Sequence, residues 1–393
     1  MNVFINALGI TCALGDGADA VRAALWRGDA PQGGEVTELY SPGRPLQLGT
    51  VNAALSLPDD TPEVHRTRNN ALLYHAALQF IAQAQAAIAR VGPARVAVVL
   101  GTSTSGIAEG GVAVRARAAT GAWPEGFHYG QQELGSPAQF LAGVLGVTGV
   151  AYTLSTACSS SAKALAAAAR LLRSGMADVV IAGGADTLCS FTVAGFSALD
   201  SVSVSRCNPL SANRCGINLG EGAGLFLLSA EPGPVRLAGC GETSDAHHMS
   251  APDPSGAGAR AAMLQALDRA GLAPADIDYL NLHGTATPQN DAMEALACAA
   301  VFGADLPLSS TKPMTGHALG AAGAIEAALM WLTLVDNPDG RLPPHWWDGV
   351  PDPALPALRV VAPGEMLGRA PRYVMSNSFA FGGSNSAVIL GAG

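Results

Sequence analysis

Charge is scarce in this chain. Asp, Glu, Lys and Arg make up only 13% of its 393 residues, and the net charge is −9. That balance leaves no basic surplus for a nucleic-acid partner. Lysine is nearly absent: 20 arginines accompany only Lys163 and Lys312. Where arginine is used almost everywhere else, a lysine draws attention to a role that arginine does not fill. No apolar run is long enough to span a bilayer. The opening MNVFINALGITCALG has no basic segment and reads as strand and turn, not as a signal peptide. The seven cysteines are Cys12, Cys158, Cys189, Cys207, Cys215, Cys240 and Cys298, and no pair has C-x-x-C spacing. Neither a disulfide framework nor a zinc site is expected, and a reducing cytoplasm fits. The glycine-rich GTSTSG (101–106) and GEGAG (220–224) lack the context of a phosphate-binding loop. The pair His247-His248 has no partner at metal-ligand spacing and reads as loop or pocket wall.

What is present is apolar and regular. Hydrophobic residues reach 49%, so the chain can bury a large core, and its length alone corresponds to roughly two to three domains. Buried strands are expected at VFINALGI (3–10), RVAVVLGTS (95–103), GVAYTLSTAC (149–158), ADVVIAGGAD (177–186) and LFLLSAE (225–231). After a break near 233 the alternation resumes, with strands at 234–245, 276–286 and 306–320 and a strand pair at 373–391. Helical periodicity marks 18–28, 69–92, 258–272, 290–303 and 321–336, the second as one long helix. No 20–50-residue repeat appears. The pattern is that of a duplicated α/β arrangement with both sheet faces covered. The Pro-rich stretch 338–356 reads as a surface loop.

Cys158 sits in TLSTACSSSAKALAAAARLLRSG, between a strand and an alanine-rich helix. A free cysteine is often a small buried hydrophobe. This one stands where several helix N–H groups lack partners. Such an end stabilises negative charge by up to about 2 kcal/mol, enough to take a thiol from about 8.5 to about 7. The sequence therefore leaves two readings, an inert core residue and a nucleophile that is half thiolate at neutral pH.

Two histidines occupy glycine-rich turns after strands: His283 in NLHGTATPQND and His317 in SSTKPMTGHALGAAGAIE. Sites on α/β sheets gather beyond the carboxyl ends of strands. Lys312 precedes His317 by five residues and is either a surface cation or an ammonium held by Asp291 or Glu294. NSFAFGGSN (377–385) carries Phe379, Phe381 and a Gly-Gly pair, either strand packing or a mobile aromatic gate with a backbone N–H for an oxyanion.

Taken in order, STACSSS, GEGAG, LHGTATPQND, TKPMTGHALGAAGAIE and NSFAFGGSN resemble the elongating β-ketoacyl–acyl carrier protein synthases of the thiolase superfamily. The resemblance covers nearly the whole chain. It implies the α/β thiolase fold, with two similar halves at 1–232 and 233–393 in five αβαβα layers. It implies decarboxylative Claisen condensation, in fatty acid or polyketide chain elongation. Cys158 would carry the acyl group, and His283 and His317 would donate hydrogen bonds to the malonyl thioester. Lys312, paired with Glu294, would set the local field, with Glu326 and Phe379 in support. The N–H groups of Cys158 and Phe381 would form the oxyanion hole. Thr104, Phe196 and His248 would line the acyl pocket. Arg66, Arg68 and Arg206 would dock the acidic acyl carrier protein. No metal or diffusible cofactor is implied, because the phosphopantetheine arm belongs to that partner. A homodimer, or a heterodimer with a ketosynthase-like paralogue, is expected.

The chain departs from the family at Ala380, where a glycine is common between the two phenylalanines, at Cys215, where many relatives carry aspartate, and at Thr104, where a bulkier apolar residue often stands. PQND after the first histidine is closer to aryl polyene and type II polyketide enzymes than to housekeeping ones. The competing reading is a non-catalytic, chain-length-factor-like subunit. Retention of Cys158, His283 and His317 argues against it. A coenzyme A-dependent thiolase is the third reading, disfavoured by the set of two histidines and a lysine.

Overall fold

A computed structural model describes residues 1–29 and 34–393. Ten strands build two five-stranded sheets that join through one short pairing, and an eleventh, the short Gly15–Asp16, extends the first. In the first half these are β1 (Phe4–Cys12), β2 (Val96–Gly101), β3 (Ala151–Leu154), β4 (Val179–Asp186) and β5 (Gly222–Ser229). In the second they are β6 (Val235–Ser244), β7 (Tyr279–Asn281), β8 (Leu308–Ser309), β9 (Tyr373–Ala380) and β10 (Ser384–Ala392). The spatial orders are β3-β2-β4-β5-β1 and β8-β7-β9-β10-β6. Each half thus arranges its third, second, fourth, fifth and first strands side by side. The directions match too: β2 lies parallel to β3 and β4, as β7 does to β8 and β9, and the remaining pairs are antiparallel. The sheets meet where Phe4 and Ile5 pair with Arg236 and Val235. This is the thiolase fold.

The central strands of the first half are apolar nearly throughout because helices cover both faces. Every residue of VAVVLG and of VVIAGGAD is buried. Helices Ser160–Arg173 and Ala322–Leu334 form the central layer, in one core with strands of both sheets. Helices Arg68–Leu78 and Ser136–Leu145 cover the outside of the first sheet, and Ala257–Ala270 and Pro288–Phe302 that of the second. Small side chains let the central layer close up. A Cβ on Gly323 would lie 2.9 Å from the Ala162 Cβ, and one on Gly101 would lie 2.3 Å from the Ser161 nitrogen. The helix that follows Cys158 is thereby wedged against β2 and the second half.

Two local expectations are corrected. Residues 69–92 form two helices, Arg68–Leu78 and Ile81–Val91, with Phe80 between them in a non-helical conformation. Tertiary contacts break the run: the Gln79 amide bonds both the N–H and the C=O of Ile10, and Phe80 is buried. The Pro-rich stretch is not wholly surface. His345 is buried, accepting from Ser310 N–H at Nδ1 (3.0 Å) and meeting the Pro209 carbonyl at Nε2 (2.9 Å).

Candidate active site

The chain leaves β3 through Thr156, Ala157 and Cys158 and enters the helix Ser160–Arg173. Ala157 takes a positive φ of 51°, a conformation that needs outside support in a non-glycine residue. The small hydroxyls supply it. Ser160 Oγ accepts from Thr156 N–H (2.9 Å) and donates to the Ala157 carbonyl (2.6 Å). This elbow holds Cys158 just before the helix, 4% exposed.

The histidines arrive from the second half. His283 follows β7, and Glu294 on helix Pro288–Phe302 accepts from the N–H groups of His283 and Gly284, each at 2.7 Å. His317 is fixed by its own N–H on the Asn218 carbonyl (2.7 Å) and its carbonyl under Gly220 N–H (3.0 Å). Its Nε2 lies 2.9 Å from Cys158 Sγ. The two imidazoles stand edge to face, centroids 5.3 Å apart at 83°. The sulfur and one ring nitrogen of each histidine lie within 4.8 Å of one another.

Lys312 is buried, and its ammonium pairs with the equally buried Glu326 on the helix Ala322–Leu334. This corrects the expected pairing with Asp291 or Glu294. Both of those carboxylates are committed to backbone amides, Asp291 to those of Leu210 (2.8 Å) and Ala286 (3.1 Å).

The electrostatics overturn the expectation of a resting thiolate. Burial pushes the Cys158 thiol up to about 12, against the pull of Lys312 and of the nearby Phe381 backbone N–H. A helix end contributes at most about 2 kcal/mol, less than desolvation takes away in a closed cavity. Burial also holds both imidazoles well below the ordinary histidine value, and Lys312 adds to the effect. The resting site is therefore a neutral thiol beside two neutral imidazoles. Burial raises Glu294 to about 7, outweighing its two amide partners.

A cavity of about 140 Å³ opens onto this cluster. The rings of Phe196, Phe379 and Phe381 line its apolar part, and Thr285 and Thr287, with hydroxyls 3.0 Å apart, line its polar part. Phe381 begins the turn between β9 and β10, its ring 5.4 Å from that of Phe196. Gly382 N–H donates to the Met249 carbonyl, and Asp245 N–H to the Gly383 carbonyl, both at 2.9 Å. The positive φ values fall on Gly382 (80°) and Gly383 (71°). Ala380 is extended at φ −104°, ψ 156°, so an alanine causes no strain there in this conformation.

Comparison with known proteins agrees with this arrangement. Residues 65–232 match the model of the β-ketoacyl synthase N-terminal domain, and residues 235–345 that of its C-terminal domain. This chain belongs to the β-ketoacyl synthase family. The chain is 37% identical over 263 residues to the 3-oxoacyl-[acyl-carrier-protein] synthase 2 of Staphylococcus aureus. That alignment covers 63% of this chain and 64% of the enzyme, just under two thirds of its length. Among solved structures, it resembles a chain of the Xenorhabdus doucetiae ketosynthase in complex with its chain length factor, with a TM-score of 0.94 and 45% identity. That match covers 100% of this chain and 98% of the other. It also resembles a chain of the ishigamide ketosynthase/chain length factor, with a TM-score of 0.88 and 27% identity over 100% and 99% of the two chains.

Other residues expected at the site lie elsewhere. Thr104 does not line the cavity, because its hydroxyl and N–H both donate to Asp186 (2.7 and 2.9 Å). His248 is exposed and accepts the N–H groups of Ser250 and Ala251 at Nδ1, so it stabilises a turn. Arg68 is not a free docking cation: its guanidinium grips both oxygens of buried Glu221 and the Val51 carbonyl. Arg66 is exposed, 3.3 Å from Glu63, and donates to the Asp59 carbonyl (2.7 Å). Arg206 is half-buried. Cys215 is exposed, its sulfur 3.3 Å from the Ser203 hydroxyl.

Asp186 was missed. Buried at the end of β4, it accepts from Thr102 Oγ1 (2.5 Å), from the N–H groups of Ser103 and Thr104, and from Gly320 N–H (2.6 Å). It ties the loop after β2 to the segment just beyond His317. Its only sequence signal is an acidic residue closing the apolar strand VVIAGGAD, where solvent cannot explain it.

Proposed function

We propose that this ketosynthase catalyses decarboxylative Claisen condensation between an acyl group held on Cys158 and malonyl-acyl carrier protein. The observation that carries this reading is the convergence of one sulfur and two neutral imidazoles, drawn from opposite halves, on a single small cavity.

In the first step the Cys158 sulfur attacks the acyl thioester of a carrier protein. Its proton passes to His317 Nε2 at 2.9 Å, the C–S bond to the pantetheine breaks, and the leaving sulfur takes up a proton. This concerted transfer suits a thiol that does not ionise by itself in the closed site. The Phe381 N–H, beside the same cavity, stands with the Cys158 N–H to hold the oxyanion. In the second step malonyl-carrier protein loses carbon dioxide. The electron pair of the broken C–C bond moves to an enolate oxygen facing His283 and His317; for His317 the nitrogen facing the cavity is Nε2, so it donates to the enolate in the tautomer opposite to the one that accepts the Cys158 proton. The enolate carbon then attacks the acyl-cysteine. A carbon–carbon bond forms, the C–S bond breaks, and the released Cys158 thiolate takes up one proton from solvent, which balances the carboxylate lost as carbon dioxide. Lys312 and Glu326 set the field without touching the reacting atoms.

The chemistry as written needs no metal or cofactor of the protein's own; the pantetheine arm comes with the partner. The similarity to ketosynthases solved with a chain length factor supports a heterodimer with a ketosynthase-like paralogue and a polyketide or polyene pathway. Intact Cys158 makes this chain the catalytic member. Among the described residues no helix is long and apolar enough to cross a membrane. We place the reaction in the cytoplasm, consistent with seven free cysteines.

The test is to supply acyl- and malonyl-carrier proteins and weigh the carrier-bound products. A β-ketoacyl chain two carbons longer, formed with release of carbon dioxide, is expected. Carrier proteins returned unchanged, with and without the paralogue, would overturn the reading.

A further inference from the structure

Lys163, the second of the two lysines, has no part in the chemistry above. It stands one turn and a half beyond Cys158 on the helix Ser160–Arg173 and is half-buried. Its ammonium donates to Ser384 Oγ at 2.6 Å. Ser384 Oγ lies 2.9 Å from Ser159 Oγ, and Ser159 Oγ donates to the Thr156 carbonyl at 2.8 Å.

The proton order in this chain is fixed by its ends. An ammonium has donors only, so Ser384 must accept from it. Ser384 then has its one proton free for Ser159, whose own proton goes to Thr156. Both ends matter to the site. Thr156 begins the elbow in which Ala157 is held at positive φ before Cys158. Ser384 closes the turn opened by Ala380, its partner across the hairpin, and that turn carries Phe381, which lines the same cavity as Cys158.

We propose that Lys163 is a positioning residue: through Ser384 and Ser159 it braces the Phe381 turn against the Cys158 elbow, holding the amide near the sulfur. The brace joins the first half to the second and passes beside the reacting atoms without touching substrate. It rests on the condensation reading for its consequence in rate, but not for its geometry.

Two measurements separate those parts. In hydrogen exchange, K163M and S384A should raise exchange in the peptide covering residues 380–384 by about tenfold or more, with the central strands unchanged. In single-turnover acylation by an acyl-carrier protein, each variant should slow transfer about tenfold with the donor KM unchanged. The double variant should be no slower than the slower single one, because both remove the same link. S384T keeps the hydroxyl and should retain the parental rate. Unchanged local exchange in K163M, or losses that multiply in the double variant, would overturn the brace. If the parent itself fails to acylate while exchange in K163M rises, the condensation reading falls and the brace stands.

Discussion

His317 Nε2 lies 2.9 Å from Cys158 Sγ, although 159 residues separate them in the chain. The helix Ser160–Arg173 brings the sulfur, and the turn before the helix Ala322–Leu334 brings the ring. These two helices form the central layer, so the reacting pair is set by the packing of the core itself.

His317→Ala removes a hydrogen-bond donor from the place where enolate charge develops. Decarboxylation of malonyl-carrier protein should fall by about 10²-fold or more, the scale of a lost oxyanion donor. Carbon dioxide release under single-turnover conditions checks this. An unchanged rate would remove that role from His317.

Cys158 should be a sluggish nucleophile toward small reagents in the free protein. Burial pushes its thiol up to about 12, so the thiolate fraction still grows tenfold per pH unit across pH 7 to 9. Alkylation by iodoacetamide, read at Cys158 by peptide mass spectrometry, should rise over that whole range. A plateau beginning below pH 8 would mean that the helix end and Lys312 outweigh burial after all.

Lys312→Met leaves the Glu326 carboxylate buried without its counter-charge. Removing one member of such a pair costs about 3–5 kcal/mol, whereas replacing both by apolar residues is often neutral. The melting temperature of K312M should therefore drop sharply, and K312M/E326M should regain most of it. Scanning calorimetry of both variants provides the check. A double variant no more stable than K312M would show that the pair's charges are not what couples these positions.

The reach and limits of the sequence follow from what kind of interaction fixes each feature. The strands show plainly because VAVVLG and VVIAGGAD are buried on both faces and need no partner to be recognised. Cys158 and His283 show because each sits among small residues just beyond a strand, and His317 because it stands between Gly316 and Ala318 in the turn before a helix. The partner of Lys312 does not, because Glu294 and Glu326 are equally acidic on the page. Only the structure shows that two backbone amides already occupy Glu294. Arg68 looks like a surface cation until Glu221, 153 residues away, folds against it. The thiol's ionisation was misjudged for the same reason. A helix end is a local feature visible in sequence, while desolvation depends on everything that closes around it. Helix propensity failed at Gln79 and Phe80, where bonds to Ile10 and core burial outweigh the helical run.

The most direct measurement is the intact-protein mass of this chain after exposure to an acyl-carrier protein, taken for the parent and for Cys158→Ala. The parent should gain the mass of one acyl group and the variant none. Equal acylation of the variant would place the nucleophile elsewhere and contradict the mechanism proposed.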